Sequence, residues 1–350
     1  MSYVYKRKAY AKIFILSIIV LTATAVGAVN FGAVDISFKD TARIIFNKIP
    51  FLNTLISTHG IKESSRIIVL NLRLPRIILA TLVGMGLSVV GATYQSIFKN
   101  AMADSYVLGI SSGAALGAAL SIAFGATANA LGMGLTTVSA FLGAILTAFF
   151  VLNIARLGSK LSDVTLMLAG VSMNFLLSSM ISLIMIFKRN EIEKIVMWTM
   201  GSVSAGNWKS IYILAPIVFL GTAIICLFLK DLNMMMLGEE SAQNLGVEVY
   251  KVKVILIAVS TIIVGAVVSF SGIIGFVGLI IPHIVRIALG SDNRVVVPFS
   301  ASIGALFLIL CDTLARSIVP PAEIPVGIVT SIFGVPFFLY LLMKNKKKVL

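Results

Sequence analysis

Eight stretches of this chain contain no Asp, Glu, Lys or Arg: residues 13–34, 77–98, 105–155, 164–187, 210–229, 254–285, 295–311 and 324–343. An α-helix needs roughly 20 apolar residues to cross a bilayer core, so these stretches fix the solvent before any other feature is considered. Two are too long for one crossing. The run 105–155 is expected to turn in the small, polar Gly125–Gly134 segment, and 254–285 near Ser271-Gly272-Ile273-Ile274-Gly275. The predicted fold class is therefore all-α: a polytopic membrane protein with about ten transmembrane helices in one domain over 1–350. With 59% hydrophobic and 12% charged residues, against roughly 25% charged in a soluble domain, the chain is far too apolar for water alone.

Orientation follows from the charges at the ends. Lys6, Arg7, Lys8 and Lys12 precede the first span, and Lys344, Lys346, Lys347 and Lys348 follow the last. Basic flanks favour the cytoplasm, so both termini are expected there, in a cell (inner) membrane, which requires an even number of spans. The net charge of +14 is then assigned to span flanks and membrane lipid rather than to nucleic acid. In the 254–285 run, Lys253 and Arg286 are expected to snorkel from the two short halves. Residues 6–28 have the basic start and small Ala25-Val26-Gly27-Ala28 end of a signal peptide. The uncharged run exceeds a usual signal core, and a retained first span is expected.

The connecting segments differ in character. The largest outer one, 35–72, mixes Phe38, Ile44, Ile45 and Phe46 with Lys39, Arg43 and Lys48, the pattern of a short amphipathic helix on a membrane surface. Segment 188–209 holds Trp198 and Trp208, read as interfacial anchors. The polar cytoplasmic segment 231–253 offers Gly246 between two expected short helices. Glycines and serines in the third span, Gly109, Ser111, Ser112, Gly113 and Gly117, allow either close helix packing or a broken helix lining a pathway; the second reading is preferred for the start of that span.

Some chemistry is excluded. There is no Gly-x-x-x-x-Gly-Lys-Ser/Thr, no His-Glu-x-x-His and no nucleophile elbow. Cys226 and Cys311 lie in apolar runs, and His283 lacks a second ligand nearby, so no metal site and no cofactor on this chain are expected.

In order along the chain come Arg73-Leu74-Pro75-Arg76, Asn100-Ala101-Met102-Ala103-Asp104, Leu108-Gly109-Ile110-Ser111-Ser112-Gly113 and Leu168-Ala169-Gly170-Val171. After them stand Trp198-Thr199-Met200-Gly201-Ser202, Leu237-Gly238-Glu239-Glu240-Ser241-Ala242, Gly275-Phe276-Val277-Gly278 and Glu323-Ile324-Pro325-Val326-Gly327. Together they resemble the FecCD-type permeases that import iron-siderophores, haem and cobalamin in ABC transporters. The family pattern has proline where Ala101 and Ser105 stand here.

The resemblance implies the large (type II) ABC importer permease fold, a second permease subunit (identical or a paralogue), two ATP-binding subunits that hold ATP and Mg, and an extracytoplasmic substrate-binding protein. It implies that 231–253 is the coupling loop, with Gly238, Glu239, Glu240, Ala242, Leu245, Gly246 and Val247 meeting the ATPase. Glu239 and Glu240 would pair with its basic residues, and Leu245 and Val247 would enter its apolar groove. Arg73 and Arg76 would pair with carboxylates of the binding protein. Arg316 either joins them or pairs with Asp312, four residues earlier. Asn100, Met102, Ser162, Asp163 and Val164 would form an inner gate, and Ser111, Ser112 and Gly113 the pathway. A secondary transporter driven by an ion gradient is the alternative; the span carboxylates that would serve a proton relay are missing, Asp312 lying near a span end.

Overall fold

The computed structural model describes residues 3–32, 34–48, 60–125, 129–130, 133–157, 160–319 and 322–346. Helix dominates. The non-helical ladders among the described residues are two-residue pairs, Asn129–Ala130 with Met133–Gly134 and Arg156–Leu157 with Lys160–Leu161. In lipid, a helix satisfies its own backbone groups, which is why apolar runs of this length take that form.

Helix α1 (Tyr3–Ala28) leads to the short α2 (Phe38–Phe46). Next come α3 (Glu63–Ile67), a π-turn over Ile68–Arg73 and α4 (Leu74–Ile97), one continuous rod. Then follow α5 (Ile110–Ala123), α6 (Leu135–Ala155), α7 (Asp163–Phe187), α8 (Ile192–Thr199) and α9 (Trp208–Leu227). Two short helices, α10 (Leu229–Met236) and α11 (Glu239–Asn244), precede α12 (Val249–Ser271), α13 (Val277–Leu289), α14 (Asn293–Ser317) and α15 (Val326–Lys346). Among the described residues seven helices are long and apolar enough to cross a membrane, and α5, α13 and α15 supply shorter apolar ones. These match the ten expected spans.

Both expected breaks are present. Between α5 and α6 the chain turns, although 126–128 and 131–132 lie outside the described residues. Helix α12 stops at Ser271 because Gly272 adopts φ +65°, and a Cβ there would collide with the Trp198 carbonyl.

Helix α4 is the spine. In its most apolar stretch 83% of residues are buried, against 6% for α1 and 11% for α7. It packs on α14, α13, α12 and α9. A Cβ at Gly84 would overlap the Gly304 carbonyl and one at Gly91 the Gly278 backbone, so these crossings are backbone to backbone, the close approach that small residues permit in membranes. Helix α1 is a full member of the bundle: Phe14 meets Phe299 edge to face at 5.4 Å, Ser17 Oγ donates to Ser302 Oγ (3.1 Å), and Tyr10 Oη donates to Leu289 O (3.1 Å). Below, the two ends of the bundle are called the Tyr10 end and the Ala28 end.

The expected amphipathic helix in 35–72 is α2. Ser37 caps it, accepting from Asp40 N, and Thr41 and Ile44 turn inward onto the protein. Residues 49–59, including His59, lie outside the described residues.

Candidate functional site

A groove of about 790 Å³ opens on one flank of the bundle. Its walls come from the end of α8 at Thr199 and Met200 and from three further interruptions of helical structure. The first is the turn Asp104–Gly109, which enters ahead of α5; Gly109 has φ +74°, and α5 begins only at Ile110. The second is the Gly272–Phe276 link, and the third the start of α15 at Gly327, Ile328, Ser331 and Ile332. Irregular backbone at membrane depth is tolerated where protein buries it or where it lines a cavity, so the groove is where these interruptions belong. Hydrogen bonds between segments hold them: Ser202 N donates to Ser271 O (2.7 Å) and Gly327 N to Gly201 O (3.4 Å). Phe276 takes a left-handed conformation (φ +68°), which costs free energy in a non-glycine residue. Gly334 of α15 makes room for its ring.

The groove is mostly apolar, with Ser111, Thr199, Ser331 and Asp104 as polar points. Withdrawal from water pushes the Asp104 carboxyl up, and hydrogen bonds from Tyr106 N and Ser105 Oγ pull it back down. Of the expected pathway residues, Ser111 and Met102 line this groove. Ser112 and Gly113 are buried, and Gly113 presses on Thr147 and the Gly143 carbonyl of α6. Gly117 meets the Ser139 carbonyl in the same way. The chain is irregular up to Gly109, whereas Ser111, Ser112 and Gly113 lie in regular helix, and Gly113 and Gly117 serve helix packing. Asn100 is exposed and accepts from Met102 N (2.9 Å), shaping the turn after α4 where the prolines of the related pattern are absent.

At the Tyr10 end, α10 and α11 form a shelf between α9 and α12. Gly238 (φ +120°) separates the two short helices, while Gly246 (φ +89°) closes the second, so the glycine between the short helices is Gly238 and not the expected Gly246. Ala242 and Val247 are buried in this chain's own core. Glu239 is held by Lys253. Three expected outward contacts are therefore internal: the short helices need an apolar underside to sit on the bundle, and a buried lysine needs a carboxylate. Glu240 is exposed, and Leu237 and Leu245 are 71% and 60% exposed.

Lys253 does not snorkel. Its side chain is 1% exposed, and Nζ donates to Asp163 Oδ1 and Glu239 Oε1, both at 2.6 Å. Ser162 is the N-cap of α7, accepting from Thr165 N (3.3 Å), and Val164 points outward at 67% exposure. Arg286 does not snorkel either: its guanidinium donates to Ala92 O, Ser96 Oγ (2.7 Å) and Asn293 Oδ1. In both cases an internal partner removes the reason to reach for water.

The arginines at the Ala28 end are also committed internally. Arg73 is buried and donates to the carbonyls of Val29, Asn30 and Val34 just past α1. Arg316 is buried, donates to Ala28 O (2.7 Å) and Phe31 O (3.0 Å), and lies 3.6 Å from Asp312. Arg76 grips Asp312 through Nε and Nη2, and Glu323 through Nη1 at 2.8 Å. Arg73 and Arg76, expected to meet carboxylates of a binding protein, are thus bonded within this chain, and so is Arg316. Carbonyls at and just past the end of α1 accept their hydrogen bonds, and Asp312 of α14 and Glu323 ahead of α15 supply the opposite charge. The sequence-local Asp312–Arg316 pair is the alternative that holds. Trp208, expected at the interface, donates to Leu70 O (3.0 Å) and packs on the protein.

Comparison with known proteins matches this architecture. The model of the FecCD transport family covers residues 16–344. A cobalamin import system permease of Halobacterium salinarum is 40% identical over 83% of this chain and 77% of its own length. A hemin transport system permease of Yersinia pestis is 35% identical over 95% of both. A solved metal-chelate type ABC transporter in an inward-facing conformation superposes with a TM-score of 0.80 at 30% identity, covering 95% of this chain and 99% of that one. With the family model spanning the bundle from α1 to α15, the chain belongs to the FecCD transport family, the multi-pass membrane permeases of ABC importers.

Proposed function

We propose that this permease moves a bulky metal chelate (ferric siderophore, haem or cobalamin) into the cytoplasm by alternating access driven by ATP hydrolysis on separate subunits. The observation that carries the reading is the shelf at the Tyr10 end. Leu237 and Leu245 stand out at the ends of two short helices that are seated on the bundle through Leu232, Met235 and Ala242, and the carboxylate Glu239 is already bonded. Exposed leucines on a rigid, water-facing platform fit an apolar cleft on a partner, with Glu240 beside them for a basic rim. In this reading the Tyr10 end and both termini are cytoplasmic, and the ATPase subunits dock on the shelf.

The groove supports the same reading. Its volume lies in the range of ligand pockets, roughly 300–1,000 Å³, and a second permease subunit facing it would enclose a wider pathway. Its few polar points suit a permease that leaves recognition to a binding protein at the Ala28 end. Because Arg73, Arg76 and Arg316 are occupied, that docking would use the exposed surface around Glu323 rather than free arginines. An ion-gradient mechanism finds less support: the span carboxylate Asp312 is clamped by Arg76 and neutralised beside Arg316.

Leu237→Asp with Leu245→Asp places two charges where an apolar contact is expected. The variant is expected to fold normally, because both side chains already face water, and to lose its ATPase subunit on purification in mild detergent. Gel filtration with subunit quantification checks this; full ATPase recovery in the double variant would remove the shelf from the interface.

A further inference from the structure

The ion triad at the Tyr10 end, a buried lysine between two partly exposed carboxylates, has a geometry that packing alone does not require. Lys253 stands in α12, Asp163 opens α7 and Glu239 opens α11, so one ammonium joins three elements. Among the described residues no other hydrogen bond or ion pair carries α11 toward α7. Helix α7 is among the most exposed of the spans; elsewhere it is held at the turn before α5, where Gly170 meets the Val107 carbonyl and Asn174 donates to Tyr106 O (2.8 Å). The shelf has a second foot: Asn233 of α10 donates to Asp292 Oδ1 (2.7 Å) and accepts from Asn293 N (2.8 Å) at the start of α14.

We propose that Lys253 is a positioning residue that relays displacement of the shelf to α7, with Glu239 as the input and Asp163 as the output. This rests on the reading of the shelf as the ATPase platform. The physical basis is stiffness. Two charge-assisted bonds of 2.6 Å on an ammonium that is 1% exposed resist stretching, because no water reaches Nζ to replace a carboxylate that moves away. A pull on α11 therefore moves α7 more cheaply than it opens the triad. The second foot would carry the same displacement to α14, so the shelf acts on two groups of helices at once.

Glu239→Gln and Asp163→Asn each cut one arm and leave Lys253 its other carboxylate, which keeps the fold. The assay uses the full complex with its ATPase and spin labels at Leu168→Cys on α7 and Leu16→Cys on α1, both exposed positions, with Cys226 and Cys311 replaced. In the parent, trapping ADP-vanadate is expected to shift the distance between the labels. In either single variant the shift is expected to be lost while nucleotide is still trapped and the subunits stay together. An undiminished shift in both variants overturns the relay, as does a parent that traps nucleotide without any shift. Variants that fail to hold the ATPase also overturn it, because these carboxylates would then serve docking or folding. A parent that never associates with an ATPase is a different outcome and refutes the platform reading itself.

Discussion

Gly91→Leu is expected to leave almost no folded protein in the membrane. Gly91 sits on the spine helix where α13 crosses, and even a Cβ there would overlap several backbone atoms of Gly278. No rotamer relieves that clash, since the obstacle is main chain, so the crossing must open. Overpacking a core costs about 1–3 kcal/mol where side chains can shift, and this site lies at the upper end or beyond. The displacement also reaches Gln95, which donates to Gly278 O and Leu279 O one turn away. Gly27→Ala is the control, because nothing lies within 4 Å of its Cβ position. The measurement is recovery of monodisperse protein from mild detergent. Recovery of Gly91→Leu equal to Gly27→Ala would refute the backbone-to-backbone crossing.

Asp312→Ala is the second large effect. Its side chain is 1% exposed, gripped by Arg76 and 3.6 Å from Arg316. Removing it leaves Arg316 with neutral carbonyls alone and Arg76 with the half-exposed Glu323 as its one acid, and breaking a buried pair in this way costs about 3–5 kcal/mol. Glu323→Gln removes the other acid of the cluster, but that carboxylate is 45% exposed. Its loss is expected to cost less than about 1 kcal/mol, because water compensates. Thermal unfolding of the two purified variants checks the contrast, and equal destabilisation would show that the cluster is not the buried knot described above.

The sequence revealed the solvent, the ten spans and both mid-run breaks, because each depends on local composition: uncharged length for a span, small or polar residues for a turn. It also led to α2 and to the interrupted start of α5. What it could not reveal is which charged groups are already satisfied. Arg73 answers to carbonyls just past α1, Arg76 to acids on α14 and at the approach to α15, and Lys253 to Asp163, 90 positions away. Each pairing is long-range, and a lone basic residue beside a span looks the same whether it snorkels, docks or is buried. The pair Asp312 with Arg316 was legible because it is local: four residues bring them to one helix face. The third-span glycines were ambiguous for a related reason. Gly109 and Gly113 are alike in sequence, yet one turns the chain into the groove and the other fits against α6.

ATP-driven import by this chain is tested most directly by reconstituting it in liposomes with its co-purified ATPase and binding protein, and following uptake of haem, cobalamin and a ferric siderophore in parallel. One of them is expected to accumulate only when ATP is supplied, at a rate unchanged when ionophores dissipate ion gradients, and Leu237→Asp with Leu245→Asp is expected to abolish the uptake. Uptake that continues without ATP and collapses with the ion gradient would contradict ATP-driven import.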